Sequence, residues 1–219
     1  MVQEGFPHRP LGSGRAGRKQ GMTVLVDNGH GAETPGKRSP DGRLREYESA
    51  RAIARKVVAG LQAEGTEARL LVPETADISL KERCRRANAW CAELGAKNVL
   101  LVSIHHNAAG GDGKWHEARG FSAHVSLNAS GRSKALAQYL WGEALQRGLR
   151  GNRSVPEVRY VAQNLAICRD TRCAAVLTEN LFQDNEDDAA FLLGREGQDT
   201  VAAVHVAAIT EFIDDYDGQ

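Results

Sequence analysis

Net charge is the first thing this sequence lacks: 28 Lys and Arg stand against 28 Asp and Glu, so with neutral histidines the formal charge is zero. Affinity for a polyanion rests on clustered cations that neutralise phosphate, and this balance argues against a nucleic-acid partner. Long apolar runs are missing too. No stretch approaches the roughly 20 residues that a spanning helix requires, which excludes an integral membrane protein built of helices. Cysteine is scarce, with four in 219 residues, too few for a disulfide scaffold. Cys84 and Cys91 share a helical-looking stretch, where a rise of about 1.5 Å per residue separates them by roughly 10 Å, beyond bridging distance. Cys168 and Cys173 are near enough in sequence to pair across a turn, yet the expectation is four free thiols.

What is present fits a globular chain. Hydrophobic residues make up 42% and charged residues 26%, close to the average for a folded domain, and the length favours one domain with its own core. Residues 1–21 are rich in Gly and basic side chains and poor in apolar ones. They read as a flexible extension or an appended segment, without the apolar stretch of a secretory signal. Residues 22–216 form the expected domain and 217–219 a tail, and no internal repeat or low-complexity linker interrupts the domain.

From Met22 onward, short apolar runs alternate with longer amphipathic stretches. That alternation predicts a single α/β domain whose mostly parallel, twisted sheet carries helices on both faces. Thr23 to Asp27 reads as a buried strand, followed by a helix from Glu48 to Glu64 with Ile53, Ala54, Val57 and Leu61 on one side. A second strand covers Ala68 to Val72. Ser79, with Glu82 three residues on, resembles a capping box for a helix to about Leu94. Val99 to Ile104, the most apolar short run, is expected at the centre of the sheet. Phe121 to Ser126 and Ala174 to Thr178 supply further strands. Helices are expected from Ser133 to Arg147 and along Val201, Val204, Ala208, Ile209, Phe212 and Ile213, and 151–163 reads as a connecting loop.

Three of these strands end on residues that carry chemistry: Asp27-Asn28-Gly29-His30-Gly31, Ser103-Ile104-His105-His106-Asn107, and Thr178-Glu179-Asn180. In an open α/β sheet the carboxyl ends of parallel strands line the edge where ligands bind, so segments remote in sequence converge there. Glu46, after a turn-rich stretch from Pro35 to Gly42 and just ahead of the first helix, faces the same space. Two imidazoles and one carboxylate match the ligand set of a catalytic zinc site that keeps one position for water. A carboxylate that is not a ligand can take the proton from that water. Glu179 suits this role, because an unpaired charge directly after Ala174-Ala175-Val176-Leu177 is costly to bury unless it is functional. Taken singly, each residue has a plainer reading, as a hydrogen-bonded loop histidine or, for Glu46, a charge complementing the helix dipole. Their joint placement favours a site. His116, His124 and His205 lack such a setting and read as packing or surface residues.

In motif order the chain resembles the zinc-dependent N-acetylmuramoyl-L-alanine amidases, type 3 catalytic domain. The resemblance rests on Val24-Leu25-Val26-Asp27-Asn28-Gly29-His30-Gly31, on Glu46 with Ala52, Ile53 and Ala54 behind it, on Ser103-Ile104-His105-His106-Asn107-Ala108, and on Val176-Leu177-Thr178-Glu179. Asp77, Leu80, Arg83, Ala87 and Asn88 match the segment before the central strand, and the likeness runs from Met22 to about Tyr216. It implies one zinc ion held by His30, Glu46 and His105, with Glu179 as the catalytic carboxylate. The implied reaction is hydrolysis of the amide between N-acetylmuramic acid and L-alanine in peptidoglycan.

The chain also departs from the family. Asn28 stands where a Pro is usual, His106 where a small residue is usual, and Thr34 near a usual acidic position. His106 has a second reading as a substrate contact or a fourth ligand, although His105 is the better candidate. Asn107 and Arg169 are weaker candidates for contacting a muropeptide, Arg169 because a guanidinium can fork onto a carboxylate, although a surface salt bridge is its plainer reading. No separate wall-binding repeat is visible, and the inhibitory helix that some relatives insert between the central and last strands is not expected here. The expected partner is the muropeptide substrate, with no nucleic acid and no membrane span, for a monomer acting on the cell wall. Such a protein is periplasmic or extracellular if exported, or a phage-encoded lysin. Two alternatives stay open: a zinc peptidase cutting inside the stem peptide, and a catalytically silent wall-binding or regulatory module.

Overall fold

A computed structural model describes residues 21–217, and the expected extension before Gly21 and the last two residues lie outside the described residues. The elements run β1 (Thr23–Asn28), α1 (Glu46–Ala63), β2 (Glu67–Leu70), α2 (Leu80–Leu94), β3 (Val99–Asn107), β4 (Ser122–Ser126), α3 (Gly131–Gln146), β5 (Val161–Gln163), α4 (Ala166–Arg169), β6 (Ala174–Phe182), α5 (Glu186–Leu193) and α6 (Arg195–Asp217). They build one six-stranded sheet in the order β2-β1-β3-β6-β4-β5. Every pairing is parallel except that of β4 with β6. The expected α/β domain with helices on both faces is what the chain forms.

Side chains of a strand alternate between the two faces, so each central strand serves two cores. Val24, Val26, Leu100, Val102, Ile104 and Val176 point to one face, covered by Ile53, Val57 and Leu61 of α1, Leu136 and Leu140 of α3, and Ile209 and Phe212 of α6. Leu25, Leu101, Ala175 and Leu177 point to the other, smaller face beneath α2 and α4. All four cysteines are free and buried in that second core. Burial pushes the Cys168 thiol up to about 12, so it packs as a small apolar group rather than a nucleophile.

The ends of several elements differ from the sequence expectation. Strands β3 and β6 continue past their apolar runs to Asn107 and Phe182, because ladder hydrogen bonds extend pairing under the polar side chains that hydropathy reads as loop. Helix α1 begins at Glu46 itself. The Ser79 hydroxyl accepts the Glu82 N–H, but the Glu82 carboxylate turns to Arg85 and Arg86, so only half of the capping box forms. Strand β5 with 3 residues, α4 with 4 and α5 with 8 were not anticipated, being too short for periodicity to register. Between β3 and β6 lie only β4, α3, β5 and the single turn of α4, in keeping with the expected lack of an inserted helix.

Candidate active site and metal centre

Strands β1, β3 and β6 run parallel and deliver their carboxyl ends to one edge of the sheet. His30, two residues beyond β1, has a left-handed backbone with φ 59, which an L-residue with a side chain adopts only where surroundings hold it. Two buried guanidiniums do the holding. Arg51 of α1 and Arg83 of α2 both donate to the His30 carbonyl, at 2.9 and 3.1 Å. Arg83 also pairs with Asp27 at 2.6 Å and bonds the Asn28 carbonyl, while Arg51 donates to the carbonyls of Glu74 and Tyr47. Gly29 is obligatory for a different reason: a Cβ there would stand 2.5 Å from the His105 ring.

Glu46, the first residue of α1, is fully buried, and its backbone N–H donates to the Lys37 carbonyl at 2.9 Å. Its Oε1 lies 3.3 Å from His30 Nε2 and 3.1 Å from His105 Nδ1 and also accepts the His106 backbone N–H at 3.0 Å. The two imidazole rings meet edge to face, with centroids 5.0 Å apart. One ligand atom from each of His30, Glu46 and His105 lies within 4.8 Å of the others, a grouping that could hold a metal ion. Ligand atoms about 2.1 Å from a tetrahedrally coordinated zinc stand roughly 3.4 Å apart, which matches the two measured separations. Glu46 Oε2 is buried with no hydrogen-bond partner, a donor left over for such an ion. Burial pushes the Glu46 carboxyl up, but hydrogen bonds from His105 and His30 outweigh it and hold the group well below the usual range. Burial likewise pushes His105 down, and the Glu46 carboxylate more than restores it, leaving its pKa raised.

Glu179 pairs directly with His105 in the β3–β6 register. Immediately beyond, the ladder slips: Asn107 pairs with Phe182, so one β3 residue faces two on β6, and Leu181 takes φ 67. A bulge of this kind re-aims side chains and ends regular pairing. Glu179 stays partly open to solvent, while its Oε2 is buried without a partner. Burial pushes its carboxyl up to about 7; His105 and Lys37 pull down and Glu46 pushes further up. The four residues singled out in the sequence thus come together.

His106 is turned away from them. Its Nδ1 lies 2.8 Å from the Asn180 carbonyl, which only accepts, so that nitrogen carries the proton; Nε2 accepts from the Ser49 hydroxyl at 2.9 Å. With both ring nitrogens committed and the ring buried, it is neither a fourth ligand nor a surface for substrate. Burial holds it neutral. Sequence reasoning missed its role as a brace between α1 and the β6 bulge, although the alternation along β3 does put His105 and His106 on opposite faces. Arg51 also escaped notice, because an i+5 step from Glu46 reads as ordinary helix polarity.

Asn107 closes β3 at the same edge as His105, with its Oδ1 accepting the Ala108 N–H. Arg169 lies elsewhere, in the surface salt bridge that was its plainer reading: it pairs with Asp170 at 2.7 Å and hydrogen-bonds Asn164 at 2.6 Å, beside a groove shared with Lys97 and Ser126. Antiparallel β4 carries the chain back across the sheet, so its end and α4 after it lie toward the edge opposite the histidines. Thr34 hydrogen-bonds Asp77 at 2.5 Å, and its neighbour Glu33 accepts the Asp77 N–H at 3.0 Å, so two acidic groups lie beside Thr34. His124 and His205 are buried packing residues, bonded to Ser122 and Gln163 and to Thr178 and the Val201 carbonyl respectively, and His116 pairs with Asp112 near the surface.

Comparison with known proteins points the same way. The profile of a family described as N-acetylmuramoyl-L-alanine amidase matches residues 24–211. An endolysin of Bacillus phage SPP1 is 30% identical over 194 residues, covering 87% of this chain and 65% of the endolysin. A sporulation-specific N-acetylmuramoyl-L-alanine amidase of Bacillus subtilis is 26% identical over 173 residues, covering 77% and 59% respectively. The chain therefore spans less than two thirds of the length of these relatives. Among solved structures, an N-acetylmuramoyl-L-alanine amidase from Clostridium difficile 630 superposes with a TM-score of 0.76 at 26% identity, covering 89% of this chain and 97% of that one.

Proposed function

Because the chain belongs to the N-acetylmuramoyl-L-alanine amidase family, we propose that it uses one zinc ion to hydrolyse the amide joining the lactyl group of N-acetylmuramic acid to L-alanine in peptidoglycan. The observation that carries this reading is the convergence of His30, Glu46 and His105 beside Glu179, which faces His105 across the β3–β6 ladder. His30, Glu46 and His105 would hold the ion, a nitrogen and oxygen donor set that suits zinc. What zinc supplies when bound is Lewis acidity, which makes water acidic near pH 7 and draws electrons from the scissile carbonyl.

The chain's own residues do the rest. Glu46 stays ionised within its two imidazoles and is held by the His106 N–H, so the anionic donor is in place before any ligand arrives. Glu179 takes the proton as water adds to the carbonyl carbon. It then hands that proton to the nitrogen as the C–N bond breaks, leaving a lactyl carboxylate and a free L-alanine amino group. Without the ion, burial pushes the Glu179 carboxyl up to about 7; the charge of a bound cation would draw it back down and favour the ionised form that accepts a proton. No helix among the described residues is long and apolar enough to cross a membrane, and the place of action is the cell wall.

The test is digestion of purified peptidoglycan with zinc-loaded protein, followed by mass analysis. Intact stem peptides with an L-alanine amino terminus are expected. Fragments cut within the stem would replace this reading with that of a peptidase, and zinc binding without any release would leave a silent wall-binding module.

A further inference from the structure

We propose that Cys91 and Cys173 are a disulfide-forming pair, which an oxidant converts into a covalent clip between α2 and the segment leading into β6. The four thiols are free in the structure, but one face of α2 follows the chain from α4 to β6 in step. Cys84 Sγ lies 3.5 Å from the carbonyl oxygen of Ala166, the first residue of α4. One turn on, the Asn88 side chain clamps the segment twice: its Nδ2 donates to the Asp170 carbonyl and its Oδ1 accepts the Arg172 N–H, both at 2.8 Å. Residues three and four apart share a helix face, so Cys91 comes next along this stripe. Cys173, directly after the clamped Arg172, is what it meets. Both thiols are buried in the same small core. Burial pushes the Cys173 thiol up, and the Cys91 thiol beside it, by charge and by hydrogen bond, pushes it further.

The remaining two cysteines are not set against each other in this way. Cys84 faces the Ala166 carbonyl, whereas Cys168 Sγ turns toward the His124 carbonyl of β4 at 3.9 Å. Cys173 also lines a surface groove with Lys97, Arg132 and Arg172, which gives a small oxidant a way in. The oxidant is a low-molecular-weight disulfide. The Cys173 thiolate attacks one of its sulfurs to form a mixed disulfide and release one thiolate; the Cys91 thiolate then attacks the Cys173 sulfur and releases the second. The reagent gains two electrons, and the two protons lost by the cysteines end on its two thiols. A raised thiol offers little thiolate, so exchange is slow in the folded protein and fastest while the chain is folding. The bond closes a loop of about 80 residues and ties the helix bearing Arg83, which holds His30, to the strand bearing Glu179.

The experiment treats the full chain with oxidised glutathione, both folded and during refolding from urea, then blocks free thiols and maps the unreduced digest by mass. A peptide pair joined through Cys91 and Cys173 is expected, with Cys84 and Cys168 recovered as blocked thiols. The oxidised protein should melt roughly 5–10 °C above the same sample treated with dithiothreitol. Cys91→Ala and Cys173→Ala should each abolish that difference, and Cys84→Ala and Cys168→Ala should each keep it. The link itself is read by mass in the wild type, so the assignment does not depend on how well any variant folds. A bridge from Cys173 to Cys168, glutathione adducts without a bridge, or four free thiols after refolding would each overturn it. None of these readouts involves hydrolysis, so the amidase reading stands or falls separately.

Discussion

Two acids, one buried and one partly open to solvent, stand at the same edge of the sheet, and their surroundings drive them in opposite directions. Glu46 sits at the start of α1 with two imidazoles and a backbone N–H on one oxygen, and it is held well below the usual carboxylate range. Glu179 sits at the β6 bulge with a buried oxygen that nothing satisfies, and it rises to about 7. Burial opposes ionisation in both, so burial does not distinguish them; the number of donors on the charged form does. That difference separates a residue suited to hold a cation from one suited to carry a proton.

Removing the ionised member should have the largest effect. Glu46→Ala is expected to lose stoichiometric zinc on dialysis and at least ~10³-fold in kcat/KM, the equivalent of several kcal/mol of transition-state stabilisation. Metal analysis beside muropeptide kinetics checks it, and full zinc content in this variant would remove Glu46 from the ligand set. The other acid should behave differently: Glu179→Gln is expected to keep its zinc while turnover falls about 10²- to 10⁴-fold. Near-normal turnover there would assign the proton transfer to another group.

Stability should separate the two pockets by sign. A carboxyl raised from the ordinary 4.5 to about 7 binds its proton more tightly in the folded state. Its contribution is present below about pH 4.5 and is lost as pH rises through 7. In zinc-free protein at pH 8, Glu179→Gln should therefore be more stable than wild type by up to roughly 3 kcal/mol, with a smaller advantage at pH 5. The lowered pKa of Glu46 works the other way, stabilising at neutral pH and failing as the solution is acidified. Denaturant unfolding at the two pH values measures the effect, and equal advantages at both would show that Glu179 does not titrate in this range.

The smallest effect should come from the brace between the two pockets. His106→Ala cuts the link from Ser49 in α1 to the Asn180 carbonyl in β6 but leaves the backbone N–H on Glu46. Groups bonded directly to metal ligands are typically worth 10- to 100-fold in affinity; the His106 ring touches only Ser49 and Asn180, one contact further out, so a loss of about 10-fold or less is expected, read by competition with a chelator. An unchanged zinc affinity would make His106 a packing residue only.

His30, Glu46, His105 and Glu179 were legible because each follows an apolar run or a turn at a strand or helix end, where local pattern and the rule for parallel sheets agree. His106 and Arg169 were not. Whether His106 faces the ligands or the opposite helix depends on strand alternation carried past the apolar run, and its partners Ser49 and Asn180 lie 57 and 74 residues away. For Arg169 the sequence offered both a surface salt bridge and a muropeptide contact, and the reversal of β4, which takes α4 toward the far edge, leaves no trace in the strand's own residues. The four cysteines read correctly as free thiols, yet their gathering beneath α2 and α4 is a product of packing.

Sequence alone therefore determined the α/β class, the order of the main elements and the four residues at the site, since hydrophobic periodicity and strand-end chemistry are local properties. Tertiary structure alone decided the left-handed His30 under two guanidiniums, the bulge beside Glu179, and the opposite ionisation of two neighbouring acids. These depend on which donors come within hydrogen-bond reach, and that is set by chain segments tens of residues apart.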